Sequence, residues 1–130
     1  MDYVEKWKAA NETISKQFVV SKKRFRDIVP TLDVLHDKTT PKHLRIEVKE
    51  VAPDISAILY VGNLAEQDGT RFRWEIGPSH DADASEVWFL SEFNYEENSN
   101  KRIEARSAED LRVCLITKVA EEVAYQHIRR

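Results

Sequence analysis

The sequence predicts an α+β domain in which helices pack on a five-stranded antiparallel β-meander. Apolar residues recur three and four positions apart over residues 2–36 and again over 108–128, whereas charged and bulky apolar residues alternate over 45–106. The first spacing collects apolar side chains on one face of a helix, and the alternation collects them on one face of a strand. Short turns between the strands favour antiparallel neighbours. A single domain over residues 1–130 fits this length.

The N-terminal helix is predicted by one long stripe of side chains. Its members are Val4, Trp7, Asn11, Ile14, Phe18, Ser21, Phe25 and Ile28. Such a stripe is either a coiled-coil seam or the face that lies on a sheet, and the polar Asn11 and Ser21 favour the sheet. Pro30 would cost a straight helix about 3 kcal/mol. We therefore expect a kink or break near residue 29, followed by a short helix to about His36.

Five strands are predicted from the alternation and from the turn residues between them. They are Arg45–Val51, Ile55–Gly62, Thr70–Ile76, Glu86–Glu96 and Lys101–Arg106. Asp68-Gly69 resembles a tight hairpin turn, with Gly69 expected in the left-handed conformation. Ser107 is a suitable N-cap for the C-terminal helix over 108–128.

Tight turns at these positions predict the strand register. Trp74 then lies opposite Phe89, and Arg71 opposite Glu92. The core face would contain Ile58, Tyr60, Leu64, Phe72, Trp74, Ile76, Val87, Phe89, Phe93, Tyr95, Ile103 and Ala105. The register of the first strand stays open, because a two-residue and a three-residue turn place Ile46 on opposite faces.

The other face of the predicted sheet carries an apolar patch beside a cation. Its residues are Leu59, Val61, Arg73, Trp88 and Leu90. An exposed patch of this kind usually marks an interface, and Arg73 would lie close enough to Trp88 for a cation–π contact. The alternative is that the N-terminal helical region folds over the patch.

Catalytic, metal-binding and cofactor-binding motifs are missing from the sequence. One cysteine and three glycines provide neither a structural zinc site nor a glycine-rich phosphate loop. His80-Asp81-Ala82-Asp83 is a weak metal candidate, because neighbouring loop residues point in different directions. We therefore expect no catalytic residues, no metal and no cofactor, and a protein that is not an enzyme.

Composition and charge restrict the function classes further. Hydrophobic residues make up 42%, charged residues 33%, and the net charge is −3, which disfavours a disordered chain, a membrane protein or wholesale nucleic-acid binding. The single cysteine and the lack of an apolar N-terminal segment favour a cytoplasmic protein.

These observations predict a non-catalytic protein-interaction module that self-associates as a homodimer and uses the outer face of its sheet or its N-terminal helix. One alternative is a domain that binds an apolar small molecule in a cavity between sheet and helix. A second alternative is a nucleic-acid-binding accessory protein, whose contacts would come from Lys22, Lys23, Arg24 and Arg26.

Overall fold

The computed structural model describes residues 2–79 and 87–128. That part of the chain forms three helices and five strands: α1 (Tyr3–Phe25), α2 (Val29–Lys38), β1 (Leu44–Val51), β2 (Asp54–Gly62), β3 (Thr70–Pro78), β4 (Trp88–Asn94), β5 (Ser99–Ala105) and α3 (Ala108–Ile128). The strands pair antiparallel in the order β1-β2-β3-β4-β5. The predicted α+β class and element order are confirmed.

The helical region is interrupted just before Pro30. Helix α1 ends at Phe25, and a turn over residues 26–28 leads into α2, which carries Pro30 in its first turn. A proline at this position loses no helical hydrogen bond, because the first amides of a helix have no partner within it. Residues on α1, α2 and α3 all join one buried cluster with the sheet.

One face of the sheet lies under the helices, and cross-strand pairing defines it. Leu59 lies opposite Trp74, and Ile76 lies between Ala57 and Leu90. The cluster formed with the helices consists of Phe25, Ile28, Leu32, Leu35, Leu44, Ile55, Ala57, Leu59, Val61, Trp74, Ile76, Trp88, Leu90, Ala105, Leu111, Leu115 and Val119. Strand residues from both faces of the predicted sheet thus share one core.

The predicted register is wrong by an odd number of residues. Trp74 lies opposite Glu92 instead of Phe89, and Leu59 rather than Tyr60 lies on the face of Ile76. The connection between β2 and β3 runs from residue 63 to 69, so it is longer than a tight turn. Because side chains alternate along a strand, an odd displacement between two paired strands moves every residue of one strand to the other face relative to its partner.

This displacement corrects several individual predictions. Ile58, Tyr60, Phe89 and Phe93 lie on the face opposite the main core. Strand 1 pairs Ile46 with Leu59, which places Ile46 on the helix-covered face. Within the described residues, Asp68 rather than Gly69 has a positive φ in the β2–β3 connection, at 55°.

Ser21 is a polar residue inside the packed face of α1. Its side chain is buried, and within the described residues its Oγ has no hydrogen-bond partner. Burying an unpaired hydroxyl costs about 1–3 kcal/mol. We expect Ser21→Ala to raise the free energy of unfolding by about 1 kcal/mol, measured by urea denaturation. An unchanged or lower free energy of unfolding would contradict the burial of an unpaired hydroxyl. Ser15→Ala, on the exposed part of α1, serves as the control.

Candidate interaction surfaces

The apolar patch predicted from strands 2 and 4 lies inside the domain. Leu59, Val61, Trp88 and Leu90 are all buried by the chain itself, with Trp88 only 1% exposed. The covering residues come from the helices, among them Phe25 of α1 and Leu115 of α3. Of the two interpretations of this patch, intramolecular cover is the one observed, and these four side chains are not a surface of the folded chain.

Arg73, the fifth predicted interface residue, lies on the opposite face of the sheet. Its Nη2 is 3.6 Å from Oε2 of Glu75. In the sheet, Arg73 pairs with Tyr60 on β2 and with Phe93 on β4. The predicted cation–π contact between Arg73 and Trp88 is therefore wrong. The guanidinium over the Trp88 ring belongs to Arg24, whose Cζ is 5.3 Å from the ring centroid.

Arg24 connects α1 to the neighbouring ends of β3 and β4. Its Nη1 donates to the carbonyl oxygen of Ser79, and its Nη2 donates to that of Val87 at 3.2 Å. The other three residues of the basic run, Lys22, Lys23 and Arg26, are exposed. One of the four nucleic-acid candidates is thus a structural residue, a role that only its contacts with distant strands reveal.

The N-terminal part of α1 carries an apolar stripe on an exposed helix. Every residue from 2 to 16 is exposed, including Trp7 at 66%. Val4, Trp7 and Ile14 are the apolar members of the predicted stripe in this part, and we call them the α1 ridge. The same stripe continues into Phe25, which is buried in the core. Its C-terminal half packs on the sheet, and its N-terminal half has no described residue packed over it.

A second exposed apolar surface lies where α2 packs beside α3. It is a groove with a volume of about 490 Å³. We call it the α2–α3 groove, and its apolar lining consists of Val34, Leu35, Ile116, Val119, Ala120, Val123 and Ala124. Lys38, Thr39 and His127 also line it. The groove is open at the surface, since Val34 and Ile116 are both exposed.

Two histidines lie beside a neighbouring cavity of about 520 Å³, which the loop after α2 and the last turns of α3 enclose. The ring centroids of His43 and His127 are 6.2 Å apart. Nδ1 of His43 lies 3.1 Å from the carbonyl oxygen of Gly62, so this nitrogen is the donor. Core side chains such as Trp74 and Leu115 pack between the sheet and α3.

A polar network crosses the interface between the sheet and α3. Arg71 is the extra residue of a β-bulge in β3, and a bulge turns a side chain away from its regular direction. Its Nη1 donates to both carboxylate oxygens of Glu122, at 3.0 and 2.8 Å, and its Nε donates to Glu96 at 3.1 Å. Gln126 also donates to Glu122, at 2.9 Å. The predicted partner of Arg71, Glu92, instead accepts from Trp74 and Lys118.

The environment of Arg71 has two opposing effects on its pKa. Burial lowers the pKa of the guanidinium, but the charges and hydrogen bonds of Glu122 and Glu96 outweigh it, so the pKa lies above its ordinary value. Arg71 therefore stays charged at neutral pH. The position of Glu122 on the same helical stripe as Leu115 and Val119 is the sequence signal that could have identified it as buried.

Chemical sites are sparse in the part of the chain that the structure describes. No group of three or more His, Cys, Asp or Glu side chains there could hold a metal ion. The weak metal candidate at residues 80–83 lies outside the described residues. Cys114 is a partly buried free thiol that packs against the core cluster. Over residues 2–79 and 87–128, no helix has the length and apolar character needed to cross a membrane.

Comparisons with known proteins do not assign a function. The chain matches no protein-family model, no curated protein and no solved structure. Within residues 2–79 and 87–128, the α1 ridge and the α2–α3 groove are exposed apolar surfaces from which a function can be argued.

Proposed function

We propose that this chain is a non-catalytic protein-interaction module that self-associates through the α1 ridge. The observation that carries the proposal is the exposure of Val4, Trp7 and Ile14 on one face of a helix whose residues 2–16 are all exposed. The opposite face of this helix is polar and includes a Glu12–Lys16 ion pair at 3.1 Å. An amphipathic helix of this kind gains stability when its apolar face is buried.

Two physical arguments support a partner for this segment. A helix of about 15 residues is marginal in water by itself, so packing against another surface would stabilise it. Large aromatic side chains also dominate the binding energy of many interfaces, and Trp7 stands at the centre of the ridge. Tyr3, which is 88% exposed, adds a second aromatic beside it.

Other surfaces of the chain support the proposal less well. On the sheet face away from the helices, the aromatic rings are partly covered by cations: Arg45 lies 4.4 Å from the Tyr60 centroid, and Arg102 lies 4.1 Å from that of Phe89. Nucleic-acid binding by the basic run would have to compete with the hydrogen bonds that Arg24 donates to the carbonyl oxygens of Ser79 and Val87, beside the ends of β3 and β4.

A charged residue on the ridge tests the proposal. We expect the unaltered protein to show a concentration-dependent dimer in sedimentation velocity, and Trp7→Glu to raise the dimer Kd about 30- to 700-fold. This range corresponds to the loss of about 2–4 kcal/mol at an interface hot spot. The reason is that the substitution removes the largest apolar group of the ridge and places a charge in its stead.

Thr13→Glu is the matched control, because it adds the same charge on the polar face of the same helix. Thr13 is exposed, and its Oγ1 donates only to the carbonyl oxygen of Ala9, at 3.0 Å. This variant should retain the dimer. A protein that stays monomeric up to millimolar concentration, or a Trp7→Glu variant that dimerises like the unaltered protein, would show that the ridge does not mediate self-association.

A further inference from the structure

We propose that the α2–α3 groove and the cavity beside it form one binding site for a fatty acid, with the alkyl chain in the groove and the carboxylate at the cavity. The cavity is the one of about 520 Å³ between the loop after α2 and the last turns of α3. This inference goes beyond the proposed function and does not depend on it, because no residue of the α1 ridge lines the groove or the cavity.

The groove and the cavity are continuous at one end of α3. The residues that line both of them are Lys38, Thr39, Val123 and His127. All other described residues that line the groove are apolar. On α3 the groove lining runs from Ile116 to His127, a length of about 17 Å at 1.5 Å per residue. The combined site is therefore elongated, with an apolar part and a polar end.

The apolar part suits an alkyl chain. Leu35 and Val119 are buried residues of its lining, whereas Val34 and Ile116 are exposed beside them. An alkyl chain needs no hydrogen bonds, and covering these side chains removes apolar surface from water. The groove volume of about 490 Å³ lies within the range typical of small-molecule sites.

The charges at the polar end favour an anion. Lys38 and Lys42 are exposed, and none of the ion pairs among the described residues involves either of them. The described residues that line the groove and the cavity include no carboxylate, and Asp37, next to Lys38 in the chain, lines neither. The hydroxyls of Thr39 and Thr40 are further hydrogen-bond donors for a bound carboxylate.

The ends of two helices act against an anion here, but the lysines outweigh them. Helix α2 ends at Lys38 and α3 ends at Ile128, so both C-termini lie near the cavity. A helix C-terminus is equivalent to about half a negative charge. Each lysine carries a full positive charge at neutral pH, so the two lysines and the two helix ends together amount to about +1. This net charge favours a carboxylate over a cationic or neutral head group.

Titration calorimetry with laurate below its micellar concentration tests the site. We expect the unaltered protein to bind a single laurate, and Lys38→Glu to raise the Kd about 10-fold, because it replaces one of the two cations with a carboxylate. Lys49→Glu is the matched control, since Lys49 is exposed on β1 and lines neither the groove nor the cavity. This variant should bind laurate with an unchanged Kd.

A substitution in the groove tests the place of the alkyl chain. Ala120→Trp should abolish laurate binding, because the indole occupies the groove. Ala120 is exposed, so the variant should fold, and circular dichroism checks this. Ala124→Trp repeats the test at a second exposed position of the lining. Decanoate, which has two methylenes fewer, should bind the unaltered protein about 10-fold more weakly than laurate.

Three outcomes would overturn the inference. Equal affinity for laurate and for dodecyltrimethylammonium, which has the same chain and a positive charge, would show that the site does not select an anion. Folded Ala120→Trp and Ala124→Trp variants that bind laurate with an unchanged Kd would exclude the groove. Loss of laurate binding in Trp7→Glu would place the ligand on the α1 ridge instead. Self-association through the ridge stands or falls separately, by sedimentation velocity without laurate.

Discussion

Replacing Trp88 with alanine will lower the free energy of unfolding by about 3–5 kcal/mol, the usual loss for a buried tryptophan. Trp88 is 1% exposed and belongs to the cluster between sheet and helices, where its removal leaves a cavity that rigid neighbours cannot fill. The loss includes the contact with Arg24, whose guanidinium lies over the ring. Urea denaturation followed by far-UV circular dichroism measures the change.

A substitution at Tyr95, directly after β4, provides the control for Trp88→Ala. Tyr95 is half-exposed and makes an edge-to-face contact with Phe93 at 4.9 Å. Tyr95→Ala should cost only about 0.5–1.5 kcal/mol, the contribution of an aromatic pair. If Trp88→Ala left the stability of the monomer unchanged and only weakened self-association, Trp88 would be an interface residue, and the intramolecular packing described above would be wrong.

Replacing Arg71 with alanine will destabilise the fold by about 3–5 kcal/mol, the loss typical of breaking a buried ion pair from one side. The reason is that Glu122 is only 5% exposed and would lose two charge-assisted hydrogen bonds at 3.0 and 2.8 Å. Gln126 would remain as the neutral hydrogen-bond partner of Glu122. The ring of Tyr125, whose centroid is 3.7 Å from the Arg71 guanidinium, would lose its cation–π contact.

A double variant distinguishes the charge effect from the loss of packing. Arg71→Met with Glu122→Leu removes both charges and keeps apolar volume, so it should recover most of the stability that Arg71→Ala loses. Arg45→Ala is the control, since Arg45 is exposed and its ion pair with Glu47 spans 3.6 Å. A double variant as unstable as Arg71→Ala would mean that packing, rather than an unpaired carboxylate, explains the loss.

The strand predictions succeeded where the information was local. Alternation over Arg71 to Ile76 predicts a strand whatever lies beside it, and this strand is β3. The register failed because it depended on loop lengths. The connection over residues 63–69 is held by backbone bonds to another loop, such as the one from the Leu64 amide to the Lys42 carbonyl oxygen at 2.7 Å. No pattern within β2 or β3 specifies such a contact.

The exposed ridge illustrates the same distinction within a single helix. The spacing from Val4 to Ile28 predicts one continuous stripe, and α1 carries most of it as predicted. The spacing does not say that Phe25 is buried while Trp7 is 66% exposed, because burial depends on how far the sheet extends under the helix. Similarly, the groove exists only because α2 and α3 pack side by side, and their residues are far apart in the chain.

The sequence by itself determined the element types, their order and the α+β class, because helix and strand periodicities and turn residues are local properties of the chain. Tertiary structure alone decided which sheet face is covered, which cation lies over Trp88, and which carboxylate pairs with Arg71. The physical reason is that side chains alternate across a strand, so a displacement of one residue exchanges the two faces. Only the contacts between distant segments select one of them.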